Sequence, residues 1–173
     1  MKYRLTAAAL LILCAAFFQT TILGYIELFG VRTNVLMVLT VIAALLRTPI
    51  ESAIMGCIFG LVMDVLLGKT LGWYALLFML TAILIALVNE KLYREKLLVL
   101  LSFSFLATVL IETLFFLIVF LFRGYSDLPY FFSQVILIEA ALNGILILPL
   151  FKPVMRLYNR LDTIDRKRNR LGT

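Results

Sequence analysis

The chain has 173 residues, 64% of them hydrophobic and 15% charged, with a mean hydropathy of +1.08. Soluble domains are about 45–50% apolar and about 25% charged, so a water-soluble core of this length cannot hide so much apolar surface. With no histidine, the usual general base and the commonest metal ligand are both missing, and two cysteines in apolar runs, Cys14 and Cys57, are too few for a disulfide framework or a zinc cluster.

A helix needs about 20 mostly apolar residues to cross hydrocarbon, and six candidate spans follow one another along the chain. The first is Leu5–Ile26. Lys2 and Arg4 before it resemble a secretion signal, but no small-x-small site closes the run, which continues into Phe17, Phe18 and Gln19. Leu13 also stands where a lipoprotein box before Cys14 needs a small residue, so an uncleaved helix is expected. The second span, Thr33–Leu46, is short: its reach is about 21 Å at about 1.5 Å per residue, against a core of about 30 Å. It borrows Leu28–Val31, or is tilted or broken. The third, fourth, fifth and sixth are Ile50–Leu67, Leu71–Val88, Leu97–Phe122 and Tyr130–Phe151. The loops are short, so consecutive helices are expected to be antiparallel neighbours. The reading is an all-α integral membrane protein with one six-helix domain, residues 1–151, and a basic tail, residues 152–173.

In that tail Leu157, Leu161 and Ile164 recur at helical spacing among Arg156, Arg160, Arg166, Lys167, Arg168 and Arg170. It is either an interfacial helix resting on anionic lipid or a solvated segment that fixes topology.

Lys and Arg orient the spans, because cytoplasmic loops carry the excess. Threading six spans from a cytoplasmic N-terminus puts Lys2, Arg4, Arg47, Lys91, Arg94, Lys96, Lys152, Arg156, Arg160, Arg166, Lys167, Arg168 and Arg170 inside. Only Arg32, Lys69 and Arg123 lie outside, so both termini are expected in the cytoplasm of a multi-pass plasma-membrane protein. Trp73 and the tyrosines, Tyr3, Tyr25, Tyr74, Tyr93, Tyr125, Tyr130 and Tyr158, fall at or near span ends, where amphipathic rings prefer the headgroup level. The net charge of +6 follows this membrane pattern, and nucleic-acid binding is not expected.

The stripe Gly56-x-x-x-Gly60-x-x-x-Asp64-x-x-x-Gly68-x-x-x-Gly72 repeats every four residues, which aligns one helical face. Glycines there let another backbone approach closely; Gly68 and Gly72 are expected in the turn to the next span. An acid facing lipid costs a few kcal/mol, so Asp64 is expected to turn inward, toward backbone donors or a base such as Arg32 or Lys69. Deeper lie Glu112, about ten residues from the outer end of its span, and Glu139, about nine from the outer end of the next, hence at similar depths. Asn143 shares the face of Glu139. Two close carboxylates in low dielectric cannot both ionise easily. They form either a proton or ion site or a hydrogen-bonded staple with Asn143 or Thr113. No nucleophile elbow, P-loop, dinucleotide fingerprint or HExxH string occurs, so neither an enzyme nor a cofactor is expected.

Residues Asn34 to Gly72 resemble the MreD rod shape-determining proteins of bacteria. The resemblance rests on Thr33 and Asn34 before an apolar run, Arg47-x-Pro49, and then the string Gly56-x-x-x-Gly60-Leu61-x-x-Asp64-x-Leu66-x-Gly68-x-x-x-Gly72. Chain length, six short-looped spans and the basic tail are also similar. Thr33 and Thr48 stand where family members often carry Pro and Gly. The resemblance implies a non-enzymatic subunit of the cell-elongation machinery that helps organise lateral peptidoglycan synthesis. It further implies as partners a bitopic MreC-like protein, a RodA-type polymerase, a class B penicillin-binding protein and the actin-like MreB. It also implies a fold similar to the substrate-binding subunits of energy-coupling-factor transporters. Two other functions compete. A transporter subunit of that fold often docks through Ala-x-x-x-Ala on its first helix, and Ala7, Ala8, Ala9, Ala15 and Ala16 have no alanine four residues on. An ion or proton translocator would use Glu112 and Glu139.

Overall fold

The computed structural model describes residues 2–21, 30–68, 72–89, 97–123 and 135–171, the side chains of 2–10, 119, 121–123 and 165–171 excepted. Six α-helices lie among the described residues: α1 (Lys2–Thr21), α2 (Val35–Leu46), α3 (Pro49–Leu67), α4 (Trp73–Asn89), α5 (Leu97–Arg123) and α6 (Leu137–Leu171). Among the described residues, Pro49–Leu67, Leu97–Ile118 and Leu137–Ile164 are long and apolar enough to cross a membrane, while Leu11–Thr21, Val35–Leu46 and Trp73–Asn89 are shorter apolar helices. Positions 22–26 of the first expected span and 130–134 of the last lie outside the described residues. So do Lys69, Lys91, Arg94, Lys96, Tyr25, Tyr93, Tyr125 and Tyr130, and the side chains of Arg166, Lys167, Arg168 and Arg170.

The short second helix is the centre of the molecule. Every residue from Val35 to Leu45 is buried, because α2 touches each of the other five helices. A helix that is apolar all round belongs in an interior. Its 12 residues reach about 18 Å, which suffices for a post enclosed by its neighbours rather than by lipid. Asn34 caps its start by accepting from the Met37 amide at 3.1 Å. Its far end closes with Arg47 N–H donating to Ala43 O at 2.9 Å, and the buried Asn89 amide donates to Leu45 O at 2.9 Å.

The outer helices are apolar on both sides. On α4, Tyr74, Phe78, Ala82, Ile85 and Ala86 turn inward, whereas Leu76, Leu80, Leu84 and Leu87 form an exposed stripe. Leu98, Leu106, Leu110, Leu114 and Leu117 do the same on α5. An exposed apolar face of this extent is the signature of a surface solvated by hydrocarbon.

The helix α6 does not stop where the last span was expected to. It runs through Pro149 and Pro153 to Leu171, 35 residues in all. Val154 is buried beyond the expected boundary, and Asp162 is tied to Arg47, so tertiary contacts hold this part in place.

Candidate functional site

The hairpin of α3 and α4 explains the four-residue stripe. Gly56 faces α4, where a Cβ would meet Phe78 O at 2.7 Å and Ala82 Cβ at 3.0 Å. At Gly60 a Cβ would lie directly against Tyr74 O and Ala75 Cα, closer than heavy atoms approach. One turn on, the Asp64 carboxylate accepts three amides of the α4 start: Gly72 at 2.9 Å, Tyr74 at 3.1 Å and Ala75 at 3.2 Å. These amides are among those that a helix start leaves unpaired, and its dipole favours an anion there. Backbone donors therefore answer the buried Asp64 carboxylate. The backbone carbonyl of Asp64 also accepts from Gly68 N–H at 3.0 Å, ending α3 with Gly68 at φ 62°, a left-handed conformation suited to glycine. Gly72, at φ 105°, begins the next helix. The stripe thus joins two helices of this chain to each other.

Next to this hairpin lies a buried polar network that the sequence hardly announces. Gln19 on α1 accepts from Val35 N–H at 2.8 Å and donates to Thr33 O at 3.1 Å. Asn143 on α6 accepts from Asn34 N–H at 2.8 Å and donates to Thr108 on α5 at 3.3 Å. Its amide also lies 3.5 Å from Glu139 Oε1, at the outer limit of a hydrogen bond. Ser104 donates to Asn143 O at 3.0 Å. One fully buried amide side chain therefore links α2, α5 and α6. Thr113 Oγ1 is buried with no hydrogen-bond partner among the described residues. Gln19 was legible only as a polar residue at the close of an apolar run, and Asn34 only as part of the polar start of the family-like motif.

Above the network a cavity of about 510 Å³ opens between the helix ends. Glu112 from α5 and Glu139 from α6 both line it, together with Gln19, Arg32, Thr33 and Asn34, and its apolar wall is built from Met63, Leu66, Leu67 and Val135. Tyr74 also borders it, its ring stacked on Phe115 with centroids 4.3 Å apart.

A second charged cluster sits at the opposite end. Arg47 NH1 donates to both oxygens of Asp162, at 3.0 and 3.2 Å, lies 3.7 Å from Glu51, and stands 4.5 Å above the Tyr158 ring. The cluster clamps the distal part of α6 to the turn between α2 and α3. Arg156 and Arg160, on this part of α6, are exposed. No group of three or more His, Cys, Asp or Glu suited to a metal ion occurs among the described residues.

Comparison with known proteins agrees with this architecture. The model of a membrane-protein family described as rod shape-determining protein MreD matches residues 1–160. No curated protein and no solved structure matches the chain. The likeness to transporter substrate-binding subunits thus rests on the family resemblance alone. With nearly the whole chain matched, the protein belongs to the MreD family, membrane proteins with a role in determining rod shape.

Proposed function

We propose that the protein is a non-enzymatic, multi-pass subunit of the bacterial cell-elongation machinery in the plasma membrane, acting by binding partner membrane proteins so that lateral peptidoglycan synthesis stays organised. The family match over residues 1–160 carries this reading. The partners proposed are a bitopic MreC-like protein, with a RodA-type polymerase, a class B penicillin-binding protein and MreB in the same assembly. The excess of Lys and Arg on one side supports cytoplasmic termini. That orientation puts the Arg47–Asp162 clamp and the exposed Arg156 and Arg160 at the cytoplasmic surface, where anionic lipid attracts basic side chains.

The Gly56–Gly60 stripe is occupied by α4, so partner binding is assigned to the outer helix faces, which the hairpin holds at fixed angles. The test is co-purification in mild detergent. A bitopic cell-wall protein recovered with the wild type, and lost from a variant that disrupts the α3–α4 hairpin, supports the proposal. A folded protein that retains no membrane partner contradicts it.

A further inference from the structure

The helix α6 runs beside α2 over its whole length: Asn143 meets the Asn34 amide at one end, and Asp162 meets the Arg47 guanidinium at the other. This course divides its surface. Phe151 and Val154 turn into the bundle, while Ala141, Ile145, Pro149, Lys152, Arg156 and Arg160 follow one another at steps of three or four residues along one exposed face. That face is apolar first and basic afterwards. Lys152, Arg156 and Arg160 make no ion pair among the described residues.

The level of the membrane surface at this end is marked by Arg47 and the Tyr158 ring beneath it, because tyrosine prefers the headgroup layer. Ile50, three residues after Arg47, is already 77% exposed, as a side chain facing hydrocarbon is. At about 1.5 Å per residue, Lys152 lies about 9 Å on the hydrocarbon side of Tyr158, Arg156 about 3 Å on that side and Arg160 about 3 Å beyond it. Long basic side chains keep their stems in the apolar layer and carry the charge to its edge, so these three cations converge on one headgroup layer. The backbone positions of Arg166 to Arg170 lie about 12–18 Å past Tyr158 along the same helix.

The occupant follows from both halves of the face. A phosphodiester answers the cations, and an acyl chain answers Ile145 and Pro149; free phosphate or an acidic peptide uses the basic half alone. We propose that Lys152, Arg156 and Arg160 hold the headgroup of an anionic phospholipid, its acyl chain lying along Ile145 and Pro149. The inference extends the proposed orientation, which sets this face in the cytoplasmic leaflet.

The test uses the full chain in nanodiscs of equal phosphatidylglycerol and phosphatidylcholine, with retained lipid read by native mass spectrometry. Both leaflets are identical there, so the result does not depend on orientation. We expect phosphatidylglycerol to be retained over phosphatidylcholine, whose headgroup carries its own cation, by about tenfold or more. The preference should vanish in K152Q/R156Q/R160Q and persist in R166Q/K167Q/R168Q/R170Q. Equal retention by the wild type overturns the proposal, and polyglutamate bound through the same three residues would then give the face to an acidic protein segment. A preference lost only in the distal quadruple variant overturns it too, as does one that survives in the folded triple variant. Should the triple variant fail to fold, an unchanged preference in Arg156→Gln overturns it.

Discussion

The Asp64 carboxylate accepts the Tyr74 amide at 3.1 Å, across the turn that joins α3 to α4. Because it also accepts from Gly72 and Ala75, the last turn of one helix supplies the cap of the next. The polypeptide thereby buries an acid and a helix start together, each removing the other's desolvation cost.

This relationship predicts an order among Asp64 variants. Asn retains one acceptor oxygen and should cost about 1–2 kcal/mol, the usual scale for a weakened cap. Leu leaves three amides without this partner, two of them buried, and should cost more, at about 1–3 kcal/mol for each buried unsatisfied group. Thermal unfolding in detergent checks the order wild type, Asn, Leu. Equal losses for both variants would instead assign Asp64 a role that needs its charge.

Glycine substitutions should divide by location. Gly60→Leu, and even Gly60→Ala, forces the α4 backbone away and should destabilise by about 1–3 kcal/mol or more, as overpacking does. Gly144→Ala meets Leu101 O only at 3.9 Å and should stay within about 0.5 kcal/mol of wild type. Comparable unfolding temperatures for Gly60→Ala and Gly144→Ala would show that α3 and α4 are not in backbone contact.

The stripe was readable because its spacing carries both geometry and chemistry: Gly56, Gly60 and Asp64 share a face on any helix. The role of α2 was not. An element such as Val35–Leu46 that is apolar on every side shows no periodicity to distinguish a lipid-facing helix from a central one. The continuation of α6 was hidden as well. The expected span ended at Phe151, before Lys152 and Pro153, and the contact that holds the helix beyond them joins Arg47 to Asp162, 115 residues apart. The cavity is built from separate helix ends, so Thr33 and Glu112 could be placed together only by the fold.

Arg47→Ala should release the distal part of α6. A partly exposed charged pair contributes about 1 kcal/mol, which corresponds to an opening about fivefold more frequent. Trypsin cleavage at Arg156 and Arg160 should accelerate accordingly. Arg47→Lys should fall between, because an ammonium cannot match both Asp162 oxygens in one plane. An unchanged cleavage rate in Arg47→Ala would rule the clamp out.

Two buried polar residues should respond in opposite directions. Asn143→Ala strands the Asn34 amide and should cost about 1–3 kcal/mol. Thr113→Val removes a buried hydroxyl without a partner and should leave stability equal or higher. Chemical denaturation of both variants checks the contrast, and a loss in Thr113→Val as large as in Asn143→Ala would contradict the network described here.

Controlled depletion in the native bacterium, followed by microscopy of cell width and length, tests the central claim most directly. Cells that lose the protein should widen and round up, and wild-type protein supplied in trans should restore rods, whereas Asp64→Leu should not. Rods of unchanged width after full depletion would contradict the assignment to shape determination.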